Sequence, residues 1–413
     1  MSEAAHFGIL GGGASGIACA IAIKQLKPDS NVTVYEKLAE PGHKILAAGN
    51  GRCNLSNTNM DISFYNGDSS ILYHVLSPFG TEQCTRFFES IGLVTTEEDG
   101  RIYPLSMNAA SVRTVLLNEA DRLGVKFKTN FKVSSLESSS GHFVINGSEN
   151  ADIVIFALGG KAAAVHGTDG DGYRILRDLG IRYAPISPAL VQLTTESRKA
   201  AGLKGVRFRG DISLYTQSGE LVGRENGEIL FTDYGLSGIA AMQLSGDASV
   251  LSKTEHPTAS LDLCTAMTQA ELRLYLADRR EALSMRPATE LLPGILNEKI
   301  AAAVMKDAGI SSDLLAGMLE DEELDKLADC IKHFDFTITG TKGFKDAQVT
   351  RGGVSAEELK DGSLQSIKIP GLFFCGEILN ADGVCGGYNL HFAWGSGIQA
   401  AKEAVQYASH NRD

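Results

Sequence analysis

The chain has 413 residues, 43% hydrophobic and 21% charged, a balance that suits two or three globular domains with cores large enough to need no disulfides. A formal net charge of −12 and a pI near 5.3 argue against a general nucleic-acid or anionic-membrane binder, leaving only local basic patches. Seven scattered cysteines with no CxxC pair give neither a zinc site nor a disulfide framework, and they fit a reducing, cytoplasmic setting.

The first expected element is a short apolar strand, His6 to Leu10, running into Gly11-Gly12-Gly13. A helix of small apolar residues follows from Ala14 to Leu26 and stops before Pro28. The uncharged run Phe7 to Ile23 resembles a signal peptide or membrane span only superficially. It lacks a basic flank, is broken by glycines and is short for a span, so a buried strand entering a packed helix explains it better. A second strand, Val32 to Tyr35, ends at Glu36, twenty residues beyond Gly16. This is a βαβ unit with Gly11-x-Gly13-x-x-Gly16 at its first turn. Gly11 permits the tight turn, Gly13 lets the backbone approach a pyrophosphate, and Gly16 lets helix and strand pack closely. The free N–H groups and positive dipole end of the helix favour phosphate, and Glu36 is placed to accept from ribose hydroxyls. The loop alone does not separate NAD from FAD.

Residues 68–123 read mostly as helices broken by turns. Phe127 to Leu136 and His142 to Ile145 read as strands of a small antiparallel sheet. Asp152 to Leu158 has the continuous apolar pattern of a central buried strand. From 191 to 264 the chain turns to short alternating segments rich in glycine, a β-rich and barrel-like module. Residues 265–333 are charged and helix-periodic, as in Ala270–Ser284 and Gly317–Ile331. Strand–turn patterns return over 334–413, with a last helix from about His391. The expected fold is α/β: a discontinuous Rossmann-like domain over 1–190 and 334–413, interrupted by the β-rich (191–264) and helical (265–333) inserts.

Several segments decide between cofactors. These are Pro41-Gly42-His43-Lys44, Gly49-Asn50-Gly51-Arg52-Cys53-Asn54, Leu230-Phe231-Thr232-Asp233-Tyr234-Gly235, Thr350-Arg351-Gly352-Gly353-Val354, and Cys375-Gly376-Glu377 with Asp382-Gly383-Val384-Cys385-Gly386-Gly387-Tyr388-Asn389. Together they closely resemble the HI0933-like family of bacterial flavoproteins, also called BaiN-like NAD(P)/FAD-dependent oxidoreductases, over nearly the whole chain. The resemblance implies a glutathione-reductase type of FAD domain with barrel and helical inserts. At the phosphate and ribose it implies FAD contacts from Gly11, Gly13, Ala14, Ser15, Gly16, Glu36 and Lys37. Around the flavin and its ribityl chain it implies Lys44, the loop Asn50, Gly51, Arg52, Cys53 and Asn54, and Gly376, Glu377, Gly387, Asn389 and Leu390. Val133, Ala157 and Gly159 complete the set. The family usually has histidine near position 233, where this chain has Asp233, so no role is carried over there.

Within that frame FAD supplies the hydride chemistry, and NADH or NADPH is the expected donor. No second glycine fingerprint lies between strand and helix, so a nicotinamide must visit the substrate's own face or dock transiently. Arg52 is the first candidate for a cation that polarises substrate or flavin, with a structural tie to nearby carbonyls as the alternative. Cys53 and Cys385, placed near the flavin by the resemblance, are candidate thiols; inert packing is the commoner fate of a free cysteine. His391 and Tyr388 are candidate proton donors, and a capping or satisfied core histidine is the alternative. The basic stretch Arg198, Lys199, Lys204, Arg207 and Arg209 suits an anionic small molecule or structured RNA, or a solvated barrel face. The resemblance implies a reductase of activated carbon–carbon double bonds. An RNA-directed enzyme reducing uridine in ribosomal RNA and a flavin redox sensor are the rivals. No metal and no membrane partner are expected, and the oligomeric state is open.

Overall fold

The computed structural model describes residues 4–139, 142–196 and 198–410. The chain divides into two compact units. One combines the residues up to Ser187 with those from Gln348 onward; the other is Pro188–Ala347.

The first unit is the expected discontinuous Rossmann-type α/β domain. Strand β1 (His6–Leu10) enters helix α1 (Ala14–Leu26), which leads to β2 (Asn31–Tyr35). Both β2 and Ile153–Phe156 pair in parallel with β1, so Ile9 lies between Val34 and Ile155. Leu372–Phe374 adds one edge and Lys126–Lys128 the other, giving a five-stranded parallel sheet. The strands His6–Leu10, Ile153–Phe156 and Leu372–Phe374 are largely apolar because they are covered on both faces: Ile9, Ile155, Phe156 and Phe374 are fully buried. Each such side chain contributes about 1.5–3 kcal/mol of burial.

Helix α1 is buried on every side from Ser15 to Ile23, which its small residues allow. It packs on the last helix, Tyr388–His410, so closely that a Cβ on Gly397 would stand 2.3 Å from the Ser15 carbonyl oxygen. Two expectations for this unit need correction. Phe127 belongs to the parallel edge strand; the small antiparallel sheet instead holds Leu136–Ser139, His142–Ile145 and Glu149–Ala151. The region expected to be helical over 68–123 also contains a hairpin, Thr95–Glu98 with Arg101–Pro104. Its Asp99-Gly100 turn has φ +50° and +77°, the pair of left-handed residues that matches strand twist.

In the second unit six strands close a barrel, in the order Leu193–Thr195, Gly235–Ser237, Leu221–Phe231, Arg207–Tyr215, Thr258–Asp262, Phe334–Thr341. The boundary expected at 334 is therefore displaced. Phe334–Thr341 pairs with both Thr258–Asp262 and Leu193–Thr195, and without it the barrel has two open edges. The helices Gln269–Ala282 and Asp321–Lys332 pack together and share one apolar core with the barrel. Among the described residues no helix is long and apolar enough to cross a membrane.

Candidate functional site

The glycine loop has the geometry that its spacing demands. Gly11 adopts φ +106°, and a Cβ there would stand 2.4 Å from the Ala157 carbonyl oxygen; one on Gly16 would meet the Gly11 carbonyl oxygen at 2.0 Å. Gly13 precedes the first residue of α1, and nothing lies within 4 Å of where its Cβ would be. The glycine N-cap makes no side-chain bond to this helix start and its first turn carries no acid, an arrangement that suits an anion. Glu36 accepts from the Gly12 and Leu38 N–H groups, both at 2.8 Å, which fixes its carboxylate at the end of β2. A cradle open at Gly13 and closed at Gly11 and Gly16, beside a fixed carboxylate, fits the diphosphate and ribose of FAD.

A second cluster lies where Ile153–Phe156 and Leu372–Phe374 end. Glu377 accepts from the Thr350 N–H at 2.8 Å and pairs with Lys44 at 2.7 Å. The Thr350 hydroxyl oxygen in turn accepts from the N–H groups of Lys161 and Ala162, at 2.7 and 2.9 Å. Thr350 is fully buried and locks the turn after Gly159, yet sequence reasoning gave it no role. Its position in Thr350-Arg351-Gly352-Gly353 was the available signal. Gly159 itself has φ +72°. Lys37 forms an ion pair with Asp169, 2.7 Å. Val133 is buried in the main core.

The third cluster joins the loop after Ala47 to the last helix. Gly49 and Asn50 are both left-handed, Gly51 has φ +83° and Cys53 φ +60°, so the chain reverses tightly before β3 (Ser56–Asn57). The Asn54 side-chain oxygen is buried without a hydrogen-bond partner, 2.7 Å from where a Cβ on Gly387 would stand. Asn389 exchanges two hydrogen bonds with the Gly383 backbone, at 2.7 and 2.9 Å, and so sets the entry to the helix. Leu390 packs against the main core. An orphaned amide oxygen beside a Gly-Gly helix entry is what a site awaiting a polar ring edge requires.

The candidate chemical groups divide. Arg52 is tied to Glu98 at 3.1 Å and lies over the Tyr103 ring, 4.7 Å from its centroid. His391 is fully buried; its Nε2 bonds the Phe79 carbonyl and its Nδ1 the Ser56 hydroxyl, both at 2.8 Å. With both nitrogens engaged and burial holding it down at about 4, the ring has the surroundings of a core histidine rather than a proton donor. The Tyr388 hydroxyl donates to the Asn59 carbonyl at 3.0 Å. Burial pushes the Cys53 thiol up to about 12, while Cys385 is only partly buried. At pH 8 Cys53 then carries about 1000-fold less thiolate than an ordinary cysteine. Brief iodoacetamide treatment of the folded protein is expected to modify Cys330 and Cys385 first, read by peptide mapping. Early labelling of Cys53 would contradict this placement.

The basic stretch is largely neutralised by its own unit. Lys199 pairs with Asp307 at 2.8 Å, Lys204 with Asp233 at 2.6 Å and Arg207 with Glu228 at 2.6 Å. Among the described residues no group of His, Cys, Asp and Glu is placed to hold a metal ion.

Comparison with known proteins places these features in context. The profile of the HI0933-like protein Rossmann domain matches residues 5–403. The 3-dehydro-bile acid delta(4,6)-reductase of Clostridium scindens is 37% identical over 406 residues, covering 97% of this chain and 99% of the relative. The ribosomal RNA dihydrouridine synthase of Haemophilus influenzae is 26% identical over 411 residues, covering 97% and 98%. Among solved structures, a quinol-fumarate reductase superposes with a TM-score of 0.51 at 16% identity, covering 98% of this chain and 72% of that one, a likeness of fold.

Proposed function

As a member of the HI0933-like family this chain is an FAD-dependent oxidoreductase, and we propose that it reduces a carbon–carbon double bond conjugated to a carbonyl in a small apolar molecule, with NADH or NADPH as donor. Bound FAD supplies the hydride. The residues of the chain hold and orient it: α1 amides at the diphosphate, Glu36 at the ribose, Glu377 at the ribityl hydroxyls, and the Gly386-Gly387 helix entry at the polar edge of the ring. The Asn50–Asn54 loop covers the ring and excludes water. Arg52, already paired with Glu98, orients that loop. His391 is a structural residue in this reading, and Cys53 a packed thiol.

The single observation that carries the substrate class is end-to-end similarity to the Clostridium scindens reductase at 37% identity, against 26% for the ribosomal RNA enzyme. The internal pairing of Lys199, Lys204 and Arg207 weakens the RNA alternative, because paired cations release few counterions on binding a phosphate backbone. The test is anaerobic reduction by NADH and by NADPH, followed by mixing with steroid enones, steroid dienones or structured RNA. Rapid flavin reoxidation by an enone or dienone, with the saturated ketone as product, is the expected result. Reoxidation by RNA alone, or by neither, would overturn the assignment.

A further inference from the structure

Two guanidinium groups beside the site stand near one carboxylate, and only one of them pairs with it. In the Thr95–Pro104 hairpin, Glu98 stands directly across from Arg101. Opposite charges so placed on an antiparallel ladder ordinarily pair. Here the Glu98 carboxylate goes to Arg52 instead, at 3.1 Å, and Arg52 covers the ring of Tyr103. Arg101 and Tyr103 are two residues apart on one strand and share a face, so both cations belong to the same side of the hairpin. Arg101 has no carboxylate partner among the described residues. The trio Arg52, Glu98 and Arg101 therefore carries a net charge of +1.

The hairpin is also fastened to the start of the last helix. Asn57 of β3 is the ladder partner of Arg101, and its side-chain amide donates to the Gly386 carbonyl at 3.0 Å. Thr58 N–H donates to the Gly100 carbonyl at 2.7 Å. These bonds set Arg101 near Cys385 and Tyr388. Burial raises both of those groups, and the Arg101 charge opposes the rise in each.

We propose that Arg101 binds the anionic oxygen of the substrate. The inference rests on the reductase reading above. Hydride arriving from reduced FAD forms a C–H bond at the β-carbon of the enone, the double bond shifts, and the electron pair reaches the carbonyl oxygen as an enolate. A proton from solvent then adds at the α-carbon. A guanidinium whose charge is not already cancelled stabilises that oxygen where Arg52, cancelled by Glu98, does so poorly. A carboxylate elsewhere on the substrate has the same chemistry, so the experiment separates the two.

FAD-loaded Arg101→Met and Arg101→Lys are compared with the parent on a neutral steroid enone and on the same nucleus bearing a carboxylate side chain. If the oxygen is the enolate, Arg101→Met lowers kcat about 100-fold on both, and lysine restores about 10-fold. If it is the carboxylate, KM rises for the acid alone. Unchanged kcat and KM on both substrates would overturn the proposal. Substrate-induced change in the absorbance of oxidised flavin gives a readout without turnover. Should the parent reduce no enone, the reductase reading fails on its own, and Arg101 is then judged by this titration with the carboxylate steroid. Binding by the parent that is lost in Arg101→Met sustains the role; equal binding, or binding by neither, removes it. A second readout is the pH profile of Cys385 alkylation, which shifts upward in Arg101→Met and stays put if Arg101 is only a surface residue.

Discussion

Gly13→Val yields a folded, colourless protein. The backbone at Gly13 has φ −82° and ψ −170°, extended geometry open to any L-residue, and no atom beyond its immediate chain neighbours lies within 4 Å of the new Cβ. The cost to folding is therefore within about 1 kcal/mol, the scale of a changed N-cap. The valine methyl groups instead fill the space that a diphosphate needs to reach the α1 amides, and FAD affinity falls by about 100-fold or more, equivalent to about 2.7 kcal/mol. Gly16→Ala separates the two effects, because its Cβ would overlap the Gly11 carbonyl oxygen at 2.0 Å. That variant loses about 1–3 kcal/mol of stability together with its flavin. Flavin-to-protein ratio and denaturant midpoint, measured on both, make the comparison. Stoichiometric flavin in Gly13→Val would mean that the diphosphate is held elsewhere.

His391→Leu is expected to cost about 2–5 kcal/mol, because it strands the buried Phe79 carbonyl and takes a partner from the buried Ser56 hydroxyl. A carbonyl only accepts, so Nε2 carries the proton and Nδ1 accepts from Ser56. The ring titrates at about 4 in the folded protein, below the ordinary histidine value of 6.5. Between those values the unfolded chain binds a proton that the native ring refuses, so this residue's stability is complete above pH 6.5 and is lost as pH falls toward 4. Between pH 7 and pH 5 the loss amounts to about 2 kcal/mol. His391→Gln, which keeps a donor for Phe79 without a titrating ring, should show an acid sensitivity smaller by that amount in urea titrations. An identical pH dependence in parent and variant would show the ring to be protonated or exposed.

The parts of this fold that sequence reasoning found are those where one local rule dominates. The helix Ala14–Leu26 and the strand ending at Tyr35 match expectation because glycine spacing and an apolar run fix them locally. Phe334–Thr341 was assigned to the wrong unit, since its alternating pattern fits any half-buried strand and only its partners, Thr258–Asp262 and Leu193–Thr195, say which sheet it joins. The Asp99-Gly100 dipeptide was a hairpin signal lying inside a stretch read as helical, and missing it hid Arg101. Thr350 is an unremarkable residue type whose importance comes from two amides brought to it across 189 and 188 positions of chain. His391 drew attention as a titratable group; what settles its surroundings is a carbonyl 312 residues away.

Inserting Pro188–Ala347 between the two halves of the dinucleotide unit sets an order of events on the ribosome. The barrel is contiguous in sequence, so all six of its strands have been made before the parallel sheet receives Leu372–Phe374 or α1 receives the Gly397 surface of the last helix. A nascent chain stopped before Tyr388 already owns its glycine loop but has nothing to lay along α1 or beside Asn54. In the reading proposed above, flavin capture waits until Tyr388–His410 has been made, so a yellow molecule is one whose synthesis has passed that helix.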